Sequence, residues 1–211
     1  MKFRFITIEG NIGAGKTTLA SILSNRLNAR LILEEFADNP FLPKFYENPS
    51  QYAFPLELFF MAERYKQLRE LVAQQDIFQT ITISDYLFSK CLLYAKVNLN
   101  EEEFKLFQRL FDIVLHELVK PDLLIFLYSP IERLQQNIRS RNRPYEQNIQ
   151  NEYLQSIQEA YINNLKHMQI KTLFVDAGSA DFIHNETHIE MVIEAMGNDF
   201  SDGNHYLTLT P

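Results

Sequence analysis

The chain has 211 residues, 46% of them hydrophobic and 22% charged, which fits a globular protein able to bury a sizeable core. Its formal net charge of -7 excludes a general nucleic-acid binder, which needs basic surface, but leaves small phosphate ligands open. A single cysteine, Cys91, rules out an internal disulfide, and neither a basic-apolar leader nor a bilayer-length apolar run is seen. The expectation is a cytoplasmic protein with no membrane partner.

In chain order, "FRFITIE" (3–9) is apolar and β-branched and reads as a buried strand. A glycine-rich loop follows. "TTLASILSNRL" then sets Leu19, Ile22, Leu23 and Leu27 on one helical face. "RLILE" (30–34) is a second strand, and Pro40, Pro43 and Pro49 break 36–49 into irregular structure with short helical pieces. A long helix pattern runs from Leu56 to about Gln75. "QTITIS" (79–84) is the third strand, with a helix from Tyr86 to about Lys96. Asn100, with Glu103 three residues later, has the capping-box pattern of a helix start. "DLLIFLY" (122–128) is the fourth strand, and Pro130 suits a first helical turn. The basic segment 139–147, a helix over about 148–166, the strand "KTLFVD" (171–176) and a helix near 186–196 complete the pattern. Five strands alternating with helices predict an α/β fold, a parallel sheet covered on both faces. We expect one domain over 1–196. Residues 197–211, polar and aperiodic, read as a flexible tail, unless Leu207 and Leu209 dock on a partner.

"GNIGAGKTT" (10–18) matches G-x-x-x-x-G-K-[ST] between a strand and a helix, the context that the motif needs. Backbone N–H groups from Gly10, Asn11, Ile12, Gly13, Ala14 and Gly15 through Thr18 can wrap phosphates, and the helix N-terminus adds a favourable dipole. Lys16 would reach the terminal phosphates and Thr17 would ligate Mg²⁺. Glu34 ends the second strand, where ligands of open α/β sheets gather. A carboxylate there can take a proton from an acceptor hydroxyl, or else line a solvated turn; its neighbour Glu35 would point elsewhere.

The loop, together with "EEFADNPFLPKFY", "LELFFMAERYKQL", "SDYLFS", "RSRNRPYE" and "EYL", resembles the deoxynucleoside kinase family, particularly its bacterial purine-preferring branch, over about residues 4–176. The resemblance implies a P-loop kinase architecture with a short arginine lid, ATP as donor, Mg²⁺, a small nucleoside or nucleotide substrate and a homodimer, with "FKLFQRLFDIVLHEL" as a pairing helix. It casts Glu34 as the base for the 5'-hydroxyl, Tyr46 against the sugar 3'-hydroxyl and Arg64 against the nucleobase. Asp85 supports Mg²⁺ and the phosphates, Arg141 and Arg143 clamp the donor phosphates, and Glu152 holds the 3'-hydroxyl. Each role suits phosphoryl transfer, which is mostly positioning and charge neutralisation.

Three positions depart from the family pattern. Glu57 stands where a base-reading glutamine is usual; an ionised carboxylate only accepts, which suits the adjacent N1–H and 2-amino donors of guanine. Arg64, seven residues on along the same helical face, would then reach O6 or N7, or else pair with Glu57 itself. Tyr86 follows Asp85 where the family has arginine, and Asn137 replaces the first lid arginine, with Arg139 on another helical face as a partial substitute. Two missing cations motivate a catalytically weakened nucleotide-binding module as one alternative; a thymidylate kinase-like enzyme is another, although no Pro-Gly-Gly follows Glu34. Cys91 reads as a small apolar residue near the base pocket, and His184 with His188 lacks a third metal ligand.

Overall fold

The computed structural model describes residues 2–34, 39–73, 81–116, 118–198 and 204–209, with only the backbone described at 71–73 and 204. Glu35, the start of the third predicted strand (79–80) and the predicted end of the long helix (74–75) lie outside them.

Six strands form one sheet: β1 (Phe5–Gly10), β2 (Arg30–Ile32), β3 (Thr82–Ser84), β4 (Leu123–Tyr128), β5 (Thr172–Asp176) and β6 (Asn204–Thr208). The order is β2-β3-β1-β4-β5-β6 and every pairing is parallel. Parallel neighbours need crossovers, and helices supply them. They are α1 (Lys16–Leu27), α2 (Leu42–Glu47), α3 (Pro49–Ala73), α4 (Lys90–Asn98), α5 (Glu101–Leu115), α6 (Ile131–Arg141), α7 (Asn151–Leu165) and α8 (Glu186–Gly197).

Alternation along the strands divides the core. Leu123, Ile125 and Leu127 of β4 join a cluster with Leu19 and Leu23 of α1, Leu134 and Ile138 of α6, and Val192 of α8. Leu124 and Phe126 face the other way, onto Ile157, Tyr161 and Leu165 of α7. A strand buried on both faces must be apolar throughout, which is why "LLIFLY" carries no polar alternation. The predicted capping box is present: Asn100 accepts from Glu103 N–H at 2.9 Å, and the Glu103 carboxylate accepts from Asn100 N–H at 3.3 Å.

Three boundaries differ from expectation. The helix expected from Tyr86 begins at Lys90, after a turn at 88–89. The long helix begins at Pro49 rather than Leu56: Pro49 stands at its first position, where a missing N–H costs nothing, and Pro55 is held inside it. The sixth strand falls within the segment read as a flexible tail. Its residues alternate, with Tyr206 stacked on Phe174 at 5.2 Å on one face and Leu207 and Leu209 packed on the core from the other. Leu207 and Leu209 thus dock on the chain's own core. Short alternation inside a polar stretch is a weak sequence signal, and the parallel partner β5 is what makes it a strand.

Candidate active site

The carboxyl ends of β1, β2 and β3 meet at one crevice, the place where open α/β sheets bind ligands. β1 delivers the glycine loop. Gly13 has φ +83, and a Cβ there would sit 2.7 Å from the carbonyl oxygen of Leu134, so neither the backbone shape nor the space admits a side chain. Asn11 fastens the loop from below: its Nδ2 donates to Leu154 O at 2.7 Å and its Oδ1 accepts from Ile12 N–H at 2.8 Å. Lys16 Nζ donates to the carbonyls of Gly10 (3.0 Å) and Asn11 (2.9 Å). Burial, and next the charge of Lys90, push the Lys16 ammonium down to about 8. A cleft of about 460 Å³ opens beside the loop, lined by Thr18, Arg133, Arg141 and Phe182 among others.

Asp85, the first residue beyond β3, ties the crevice together. One carboxylate oxygen accepts from the Thr17 hydroxyl at 2.5 Å and the other from Glu34 N–H at 2.7 Å. Thr17 and Asp85 therefore present adjoining oxygens, the hard donors that Mg²⁺ prefers. Among the described residues no cluster of three or more His, Cys, Asp or Glu could hold a metal. This donor set fits Mg²⁺ carried mainly by phosphates and water rather than by a protein cage.

Glu34 lies two residues beyond β2. Arg64 donates to its Oε1 through Nε (2.8 Å) and Nη2 (2.5 Å), while Lys90 Nζ donates to Oε2 at 2.9 Å. Burial by itself would raise this carboxyl, but Arg64 and then Lys90 hold it well below the usual carboxylate range. It is an ionised carboxylate in the same cavity as Lys16 and Thr17. The remaining Arg64 nitrogen, Nη1, donates to Cys91 Sγ at 3.0 Å, and Phe60 lies under the guanidinium with 4.8 Å between Cζ and the ring centre. Arg64 thus pairs with Glu34, not with Glu57.

Glu57, also on α3, is 2% exposed and accepts from Asn98 Nδ2 at 2.8 Å. Burial pushes its carboxyl up to about 7, against the Asn98 hydrogen bond and the nearby Arg64 charge. Leu56, Glu57, Phe60, Arg64, Tyr94 and Asn98 line a cavity of about 110 Å³ that Lys16, Thr17 and Asp85 also line.

The lid follows α6. Arg141 and Arg143 both pair with the buried Glu146, Arg143 at 3.2 Å. Tyr145 stacks on Tyr46 with ring centres 6.1 Å apart, and Tyr46, Glu146 and Tyr153 line the cavity. Glu152 does not. It is exposed in the first turn of α7, next to Tyr153, which lines the cavity, as does the carboxylate of Glu146. Successive helical residues point about 100° apart, so one place in "NEYL" decides which side chain faces in.

Two departures from the family pattern receive a structural role. Tyr86 is fully buried and its hydroxyl donates to Gln67 Oε1 at 2.8 Å. Asn137 Nδ2 donates to Gly13 O at 2.8 Å, bracing the loop. Arg133, one turn earlier on α6, brings a guanidinium to the same cleft; its Nη2 donates to Ala180 O at 3.1 Å, while its buried Nε has no hydrogen-bond partner among the described residues. His188 is buried and accepts from Asp181 N–H at 3.1 Å, while His184 pairs with Asp181, so both are engaged around the start of α8.

Sequence reasoning missed Lys90, Asn98, Glu146 and Arg133. No motif marks them. The available signal was that Lys90 falls on the apolar face of its helix, between Phe88 and Leu93, where a lysine requires a partner.

The family profile described as deoxynucleoside kinase matches residues 6–202. A deoxyguanosine kinase of Bacillus subtilis (strain 168) is 34% identical over 193 residues, covering 89% of this chain and 93% of the relative. The deoxyadenosine/deoxycytidine kinase of the same organism is 27% identical, covering 95% of each. The deoxyadenosine kinase from M. mycoides with bound dATP superposes with a TM-score of 0.80 at 22% identity, covering 92% of this chain and 100% of that one, which shows a shared fold. These likenesses favour a deoxynucleoside kinase over the thymidylate kinase-like and catalytically weakened alternatives. A profile match running from the first strand past α8, on a fold that puts a phosphate loop opposite an ionised carboxylate, means that the chain belongs to the deoxynucleoside kinase family.

Proposed function

We propose that the protein transfers the γ-phosphoryl group of ATP to the 5'-hydroxyl of a purine deoxynucleoside, with guanine the preferred base. The observation that carries the transfer is the ionised Glu34 facing Lys16 and Asp85 across one crevice. Glu34 accepts the 5'-hydroxyl proton as the oxygen attacks phosphorus. The glycine loop and Lys16 hold the donor phosphates. Arg141 and Arg143 exchange Glu146 for phosphate oxygens when the lid engages. Thr17 and Asp85 would hold Mg²⁺, which neutralises charge on the phosphates. Tyr46 and Glu146 face the sugar.

The base preference rests on Glu57. It lines the cavity, buried, with one carboxylate oxygen engaged by Asn98, and its acceptor character suits the N1–H and 2-amino donors of guanine. The Bacillus subtilis relative being a deoxyguanosine kinase supports this. We read the chain as a single cytoplasmic domain that pairs with a second copy through α5, whose Leu106 and Ile113 stand exposed.

The test is to incubate the protein with Mg²⁺ and ATP or GTP against the common deoxynucleosides and their monophosphates. Deoxyguanosine 5'-monophosphate as the main product is the expected result. Products from monophosphates alone would overturn the acceptor. Equal kcat/KM for deoxyguanosine and deoxyadenosine would remove the guanine reading while leaving the kinase.

A further inference from the structure

Glu34 is held by two cations on two different oxygens, and only one of them, Arg64, was expected at the site. Lys90 opens α4, and its side chain is 6% exposed. An ammonium taken out of water costs several kcal/mol unless it is well paired. Lys90 meets that cost at one place: its Nζ donates to Glu34 at 2.9 Å (Oε2) and 3.2 Å (Oε1). The Tyr94 ring, one turn along the same helix, lies 5.4 Å away and supports the charge from the other side. Arg64 has no nitrogen left over for Oε2, since Nε and Nη2 go to Oε1 and Nη1 goes to Cys91. Tyr86, next to Asp85, turns its hydroxyl to Gln67 and brings no charge. The cation that the sequence lacks after Asp85 thus arrives five residues later, from the start of the next helix.

We infer that Lys90 is a positioning residue for phosphoryl transfer: it fixes the Oε2 side of Glu34, so that the carboxylate presents one defined lone pair to the acceptor hydroxyl. The inference rests on Glu34 acting as the base, as proposed above. A carboxylate gripped at Oε1 alone can still turn about its last carbon–carbon bond; gripped at both oxygens, with its backbone N–H tied to Asp85, it cannot. Orientation matters because a misplacement of about 1 Å costs roughly 100-fold in rate.

The test compares the full-length wild type with K90M, K90R, E34Q and the double variant E34Q/K90M in steady-state kinetics, using the preferred deoxynucleoside. K90M is expected to lose roughly 100-fold in kcat, with KM for nucleoside and ATP within about three-fold. K90R, which keeps a cation, is expected to recover most of that loss. The double variant is expected to be no slower than E34Q, because Lys90 acts through Glu34. Wild-type kcat in K90M, or a double variant whose loss is the product of the two single losses, overturns the inference. Should K90M lack a cooperative melt, K90Q takes its place, and E34Q/K90M, which removes both charges, still gives the comparison with E34Q. A wild type that phosphorylates no deoxynucleoside overturns the functional reading and this inference with it; an active wild type with an unmoved Lys90 variant overturns this inference alone.

Discussion

The two ends of the crevice are built by opposite means. The phosphate end is local: residues 10–18 form a loop whose chemistry is mostly backbone N–H groups, shaped by three positive-φ glycines and a helix start. The acceptor end is assembled. Glu34 comes from beyond β2, Glu57 and Arg64 from α3, Asp85 from beyond β3, and Lys90, Cys91 and Asn98 from α4, and its chemistry is side-chain charge. One end tolerates little change of shape and the other little change of charge. Substitutions should therefore separate them.

The largest separation is expected from Glu34→Gln. Losing the carboxylate proposed as general base should lower kcat roughly 10²–10⁴-fold, with the ATP dissociation constant within a few-fold of wild type. Steady-state kinetics beside an equilibrium nucleotide titration checks this. A matching loss of ATP binding would mean that the two ends are one unit.

Gly13→Ala should do the reverse. A Cβ against the Leu134 carbonyl at φ +83 is expected to cost about 1–3 kcal/mol of stability and to weaken nucleotide binding, leaving deoxynucleoside affinity nearly intact. Denaturant unfolding and separate titrations of the two ligands read these effects.

A smaller effect sharpens the acceptor end. The Glu57 carboxyl, raised from 4.5 to about 7, is mostly protonated below that pH and mostly ionised above it. The groups facing it are Asn98, Arg64, Lys90 and Glu34. Only the ionised form offers two acceptors to guanine, so the ratio of kcat/KM for deoxyguanosine over deoxyadenosine should rise roughly ten-fold between pH 6 and pH 8. In Glu57→Gln the ratio should be flat. The sign for stability is opposite. A carboxyl raised on folding contributes stability below its unfolded value, and that contribution is lost as pH rises through the folded one. Glu57→Gln should therefore gain on wild type in thermal melts at pH 8 relative to pH 5.

The smallest effect marks a site belonging to neither end. Asn100→Ala removes the α5 capping box and should cost about 1 kcal/mol in denaturant unfolding with kcat unmoved.

The same contrast explains what could be read from the sequence. The glycine loop, the capping box and the apolar strands are short-range patterns, and the structure has them where the spacing puts them. Glu34 was legible because parallel strands end on one side of a sheet, so a carboxylate just past a strand faces the crevice, whereas Asp85 was marked by the family resemblance of "SDYLFS". Lys90 was not, because nothing near it in sequence predicts that a carboxylate 56 residues earlier lies 2.9 Å away. In "NEYL" helix phase, rather than composition, turns Tyr153 and not Glu152 to the cavity, and Glu146, which also lines it, lies in a separate turn before α7 that no pattern marked. Strand β6 was missed for a related reason: its alternation is short, and its partner is chosen by tertiary pairing.

The strand order has a consequence for when this protein acquires its function. The loop that holds phosphates is written at the start of the chain, yet its walls are not: Gly10 lies under the Leu127 carbonyl, Gly13 under that of Leu134, and Asn11 hangs from Leu154. Among the described residues β1 itself pairs only with strands that begin at residues 82 and 123. A chain emerging from the ribosome thus displays the motif long before it owns the shape, because contacts of such long sequence separation form late. Nascent chains halted before residue 134 should bind no nucleotide, although every residue of the motif has already been made.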